Sequence, residues 1–214
     1  MTSEKTATSQ EVLEWVNQML PNFSNEIVTL QSTFENLILK ESVVQPFLVS
    51  YDDTKKKNFV AFVRESLKDD PKDYYSAISS LMFANVASMS TLFTFTVHTK
   101  SNQYFNPSKV LPIKNLESIV VFVVDDNRAF AVELPYSISD GKVLWSSDYN
   151  AFNIGGFNDP MIECLFIFSH IDESPFVYTD VLKYLSENGY QIMITDESSF
   201  ANKVFLLQKG IFKY

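Results

Sequence analysis

The sequence predicts an α+β fold in which N-terminal helices precede a mixed, mainly antiparallel sheet with a packed C-terminal helix. Three observations predict it: helical spacing of apolar residues before residue 41, alternation of apolar and polar residues after Ser90, and an apolar run that ends at Asp125-Asp126. The 214 residues are 46% hydrophobic and 14% aromatic, which suffices for a packed interior. We expect one continuous domain with a polar tail at 1–8, a mainly helical part at 9–90 and a sheet part at 91–214.

Two helices are predicted near the N-terminus. Thr8 and Glu11 have the spacing of a capping box, and the apolar residues after them fall on one helical face until Pro21. A second helix is predicted from Ser24 to about Lys40. Its apolar stripe comprises Ile27, Leu30, Phe34, Leu37 and Ile38.

The segment from Pro46 to Leu67 fits two structures. A strand reaching Tyr51 is followed by an Asp-Asp turn, and the residues after the turn suit either a second strand or a helix. The sequence therefore leaves a hairpin and a strand-helix pair as alternatives.

An uncharged segment runs from Tyr74 to Val97. A membrane-spanning helix needs about 20 predominantly apolar residues, but Ser and Thr recur throughout this segment and its second half alternates like a strand. We therefore expect a buried helix to about Ser88 that leads into a strand.

The sheet part begins where Phe93, Phe95 and Val97 alternate with Thr94, Thr96 and His98, which predicts a half-buried strand with His98 on its solvated side. "SIVVFVVDDNRAFAVEL" predicts a hairpin, because a continuous apolar strand meets an Asp-Asp-Asn turn and an alternating return strand. "KVLW" predicts another short strand.

The remainder is predicted as a loop, a strand, a helix and two final apolar runs. The loop extends from Ser146 to Pro160, and the strand surrounds Cys164. Ser174 suits the N-cap of the helix and Pro175 its first position, while Asn188-Gly189 is a typical C-terminal signal.

Charge and residue counts argue against several functional classes. The net charge of −9 opposes sequence-independent binding to phosphate backbones, and Lys55–Lys57, the one basic run, is flanked by aspartates. Two histidines and one cysteine are too few for a zinc site of Cys and His ligands, so we expect no metal site. No G-x-S-x-G elbow, P-loop or G-x-G-x-x-G fingerprint occurs.

The cellular setting is predicted from the cysteine count and the first residues. Cys164 has no partner for a disulfide within the chain, which favours a reducing, intracellular and cytoplasmic environment. "MTSEKTATSQ" is polar and lacks the apolar core of a secretion signal. We expect no membrane association.

From about Phe168 to Phe212 the chain resembles the GNAT N-acetyltransferases. The central motif of that family is a strand, a short crossing and a helix, and its last motif matches "ANKVFLLQKGIF", with Phe205, Gly210 and Ile211 in register. The resemblance implies a GNAT-like fold and an acyl-CoA cofactor such as acetyl-CoA. It also implies that Glu163, His170 and Tyr178 are the nearest candidates for acid and base catalysis.

The acyl-CoA motif of the family departs from its pattern here. Its run of Gln or Arg, two residues, Gly, one residue and Gly or Ala falls on Glu173 to Tyr178, where Phe176 and Tyr178 replace the small residues. Pro175 removes a backbone donor, and the carboxylates of Asp172 and Glu173 repel phosphates. We therefore expect this helix N-terminus not to bind acyl-CoA.

Two functions follow as hypotheses. The first is a non-enzymatic protein that binds or regulates a protein partner by surface recognition and needs no cofactor. The loop "SSDYNAFNIGGFNDP" supports it, because Tyr149, Phe152 and Phe157 are aromatic residues among polar ones, although these rings could instead pack on the core. The second is a divergent acyl-CoA-dependent N-acyltransferase.

Overall fold

The computed structural model describes most of the chain. The described residues are 7–40, 45–52, 54–63, 78–82, 85, 90, 92–100, 111–113, 117–155, 162–163, 165, 178–188, 190–196 and 203–207. Three helices are α1 (Ser9–Met19), α2 (Phe23–Leu39) and α3 (Tyr178–Glu187).

The described strands form one nine-stranded sheet, and every pairing among them is antiparallel. The order is β6-β5-β4-β3-β1-β2-β8-β9, and β7 also pairs with β5. The α+β fold with a mainly antiparallel sheet is confirmed. The strands are β1 (Phe47–Tyr51), β2 (Lys57–Phe62), β3 (Leu92–His98), β4 (Ser118–Val124), β5 (Ala129–Ser139), β6 (Lys142–Trp145), β7 (Asn150–Asn153), β8 (Gln191–Asp196) and β9 (Lys203–Leu207).

The capping box of α1 is formed as the sequence predicts. The Glu11 backbone N–H donates to Thr8 Oγ1 at 3.3 Å, and the Thr8 N–H donates to Glu11 Oε2 at 2.8 Å. These two bonds satisfy backbone donors that a helix start otherwise leaves without partners. The helix buries Val12, Val16 and Met19 against the sheet.

Replacing Thr8 with alanine is expected to destabilise the protein by about 1 kcal/mol, because a backbone donor of α1 loses its acceptor. Urea denaturation measures the change. Thr29→Ala is the matched control, because Thr29 Oγ1 only donates to the Asn25 carbonyl within α2 and is exposed. An equal loss in both variants would contradict the capping role.

Both faces of the sheet are covered by helices. On the α1/α2 face, apolar side chains of α1 and α2 pack with those of β1, β4 and β5, including Phe34, which lies 6.0 Å from Phe47 between ring centroids. On the α3 face, Val181 and Leu185 of α3 and the helical segment 78–82 pack on the opposite side of the same strands. The predicted C-terminal helix is therefore packed on the sheet.

Between Pro46 and Val63 the structure is a hairpin, which settles the alternative that the sequence left open. Phe47 pairs with Phe62, and the turn is closed by Asp52 Oδ1, which accepts bonds from the Thr54 N–H at 2.8 Å and the Lys56 N–H at 3.0 Å. The sheet thus includes two strands from the part of the chain that was predicted to be mainly helical.

The predicted hairpin at Asp125-Asp126 is present as β4 and β5. Asp125 Oδ1 accepts the Arg128 N–H at 2.7 Å, and Asp125 Oδ2 pairs with the Arg128 guanidinium, also at 2.7 Å. Because Ile119 to Val124 are all buried, β4 crosses the centre of the fold.

Strand β7 lies inside the segment predicted to be a loop, so that prediction is wrong from Asn150 to Asn153. Asn150 pairs with Glu133, and Trp145 of β6 pairs with Tyr136 on the same strand β5. Strands β6 and β7 therefore run along one edge of β5, separated by the excursion 146–149. The sequence did not predict β7, because the segment is polar and contains Gly. Its strand conformation depends on pairing with β5.

The strand predicted around Cys164 is also wrong at the described positions, because Ile162, Glu163 and Leu165 are helical. Ile162 and Leu165 are buried three residues apart and Glu163 is exposed, which is a helical pattern. Ser174, Pro175 and Gly189 lie outside the described residues.

Candidate functional site

Two of the three candidate acid-base residues lie within the described structure. Glu163 is exposed on the helical segment just described, and Tyr178 is the first residue of α3. His170 lies outside the described residues. The acyltransferase role of these residues stays a prediction.

Two of the three aromatic residues predicted to bind a partner are described, and they lie on different faces of the sheet. Tyr149 is partly buried against the cluster of the α1/α2 face, whereas Phe152 is partly buried against the cluster of the α3 face. Phe157 lies outside the described residues. The rings of Tyr149 and Phe152 thus contact the core, while their role in partner binding stays a prediction.

A histidine-tyrosine pair lies at the end of β3 on the α1/α2 face. His98 Nε2 and Tyr136 Oη are 2.8 Å apart, and His98 is 3% exposed. The prediction that His98 is solvated is wrong. The polar side of β3 faces α1 and α2 instead of water, and Thr94 and Thr96 are buried with it.

Burial fixes the protonation of this pair. The pKa of His98 is lowered from 6.5 to about 4, chiefly by removal from water and also by the Lys100 ammonium, while the Glu117 carboxylate partly opposes the change. Burial also raises the pKa of Tyr136 to about 12, with a further contribution from Glu117. At neutral pH both side chains are therefore uncharged, which suits a structural hydrogen bond better than proton transfer.

A second polar group lies on the α3 face at the same end of the sheet. Glu133 is fully buried, and its Oε2 accepts a bond from Asn150 Nδ2 at 2.8 Å. Its Oε1 and the buried Ser118 Oγ have no hydrogen-bond partner among the described residues. The sequence alone does not indicate this group, because the position of Glu133 suits the polar side of a half-exposed strand, and its burial depends on β7 and on the helices of the α3 face.

The hairpin of β5 and β6 projects beyond the start of β4, since Ser118 of β4 pairs with Pro135. Its turn is Asp140-Gly141 with φ of 51° and 71°, the left-handed conformation of a two-residue hairpin loop. Two large apolar side chains are exposed here, Ile138 at 47% and Leu144 at 51%. They lie on opposite faces of the ribbon, because Leu144 pairs with Ser137 and Ile138 with the buried Val143.

The outer edge of β6 carries backbone groups that pair with no other described strand. The Ser146 N–H donates to the Pro135 carbonyl at 2.9 Å, and in an antiparallel ladder such bonded pairs recur at every second residue. Leu144 and Lys142 therefore bond to β5, while the N–H and C=O groups of Val143 and Trp145 point away from it. In the described part of the chain, β6 pairs with β5 alone.

The neighbouring edge of β7 is protected. The outward N–H of Ala151 donates to Ser9 Oγ at 3.3 Å, so the first residue of α1 occupies the position that another strand would take. Among the strands that the structure describes, one edge of β5 thus holds a covered segment, β7, and an open segment, β6.

The described residues hold no group of three or more His, Cys, Asp or Glu side chains placed to bind a metal ion. None of the helices described is both long and apolar enough to span a bilayer. Comparison of the chain with protein-family models, curated proteins and solved structures finds no match.

Proposed function

We propose that this protein is a non-enzymatic interaction protein that binds an extended segment of a protein partner along the open edge of β6. The observation that carries the proposal is the pair of outward residues Val143 and Trp145, whose backbone groups have no partner among the described residues. Strand addition to such an edge supplies backbone hydrogen bonds, and side chains flanking the edge supply specificity.

The side chains around this edge suit a peptide with alternating apolar residues. Leu144 projects on the α3 face, whereas Val143 and Trp145 lie on the α1/α2 face, so either side of an added strand meets an apolar group. Tyr149 lies in the excursion between β6 and β7, beside the same edge, and we keep it with Phe152 and Phe157 as a candidate partner contact.

The proposal includes no cofactor and places the protein in the cytoplasm. One cysteine in 214 residues supports a reducing compartment, and a net charge of −9 supports a protein or peptide partner over nucleic acid. A basic peptide is favoured for its association rate, because opposite charge accelerates encounter.

Selection from a random peptide library on the purified protein tests this function. We expect selected peptides to protect the Val143 and Trp145 amides from hydrogen exchange and to bind Leu144→Lys about tenfold more weakly. Tyr184→Lys is the matched control, because Tyr184 is an apolar side chain with 56% exposure on α3, and it should leave binding unchanged.

Peptides that bind both variants equally and protect amides elsewhere would overturn the proposal. Titration with acetyl-CoA in the same buffer tests the alternative hypothesis. Saturable binding that is lost in Tyr178→Ala would move the acyltransferase to first place.

A further inference from the structure

We infer that a second copy of this chain is a partner of the open edge, and that two β6 strands pair antiparallel about a two-fold axis through Leu144. The inference rests on the proposed function, since it names an occupant for the same edge. The inference depends on the position of the exposed Leu144, which lies midway between Val143 and Trp145, the two residues whose backbone groups face outward.

The spacing of these groups is self-complementary. With Leu144 on the axis, Val143 of one copy lies opposite Trp145 of the second copy, and each outward residue meets another outward residue. Each such pair exchanges both of its backbone hydrogen bonds. A shift of the pairing by two residues in either direction would leave one outward residue of each copy outside the other's β6, so this register satisfies the most backbone groups.

The side chains agree with the same register. Leu144 lies opposite Leu144 of the second copy as a non-hydrogen-bonded pair, in which side chains approach most closely. The half-exposed side chain thereby gains an apolar neighbour. Lys142 lies opposite Ser146 of the second copy, so the two lysines do not face each other.

The contact between the two β6 strands is short, so the dimer is expected to be weak. A four-residue strand buries less than the surface of a standard protein interface, and two chains of charge −9 repel each other. We therefore expect dimerisation to depend on concentration and to strengthen with added salt, which screens the repulsion.

Sedimentation velocity over a concentration series, with the full chain, tests the inference. The wild type should dimerise, and Leu144→Lys and Leu144→Glu should each be monomeric, because like charges would meet on the axis. Mixing these two variants should restore a dimer with one copy of each. Ile138→Lys is the matched control and should still dimerise, because Ile138 is exposed on the same hairpin but lies on β5, away from the edge.

A covalent trap checks the register. Leu144→Cys combined with Cys164→Ser should form a disulfide-linked dimer on mild oxidation, because directly opposed residues of such a pair have Cα atoms about 4.5 Å apart, within disulfide range. Ile138→Cys with Cys164→Ser should remain uncrosslinked.

The outcomes separate the two proposals. If the wild type stays monomeric while selected peptides protect the β6 amides, the inferred dimer is contradicted and the proposed function stands. A dimer that persists in Leu144→Lys overturns the symmetric register. A monomer whose β6 amides no peptide protects overturns both.

Discussion

Replacing Phe122 with alanine is expected to lower the free energy of unfolding by about 3–5 kcal/mol. Phe122 is fully buried in the middle of β4, with its ring 6.4 Å from that of Phe95, so truncation removes apolar contacts and leaves a cavity between the sheet and the α3 layer. Chemical denaturation monitored by circular dichroism measures the loss.

The control for this prediction is Val28→Ala, at a residue of α2 that is 63% exposed. It should change the stability by no more than about 0.5 kcal/mol. A similar loss in both variants would show that Phe122 is not packed as described. If Phe122→Ala fails to fold, Phe122→Leu should still fold, with a smaller loss, because it retains most of the buried apolar surface.

The second large effect is a loss of stability in acid that depends on His98. Its pKa is about 4 in the folded protein against 6.5 ordinarily, so the unfolded chain takes up the proton first as the pH falls. The free energy of unfolding should therefore decline between pH 6.5 and pH 4 by up to about 3 kcal/mol, and this contribution should be constant below that range.

Urea denaturation at a series of pH values tests this dependence. His98→Gln should flatten the decline between pH 6.5 and pH 4, because glutamine can keep a hydrogen bond to Tyr136 without titrating. The matched control is Thr29→Ala, at an exposed residue of α2 that does not titrate, and it should retain the wild-type decline. Parallel curves for the wild type and His98→Gln would show that protonation of His98 is not coupled to unfolding.

Much of the fold was predictable because it depends on neighbours in sequence. The capping box at Thr8 and Glu11 and the hairpin closed by Asp125 are set by residues three or fewer apart, and both are present. The β1–β2 hairpin was left ambiguous, because Phe59 to Val63 suits a helix or a strand until pairing with β1 and β8 decides.

The polar groups could not be placed from sequence for a different reason. His98 and Glu133 each lie on the more polar side of an alternating strand, and alternation predicts that such a side faces water. Here both faces of the sheet carry a helical layer, so both side chains are buried. The open edge of β6 could not be predicted from the sequence either, because it depends on which residues of β6 form hydrogen bonds with β5.

The position of β2 has a consequence for synthesis on the ribosome. Its residue Phe59 pairs with Ile194 of β8, so most of the chain must be translated before that side of β2 acquires a strand. Until Gln191–Asp196 emerges, the nascent sheet carries an exposed edge beside apolar residues, the arrangement that chaperones commonly shield. We therefore expect this protein to depend most on chaperones while it is still bound to the ribosome and β8 has not yet been translated.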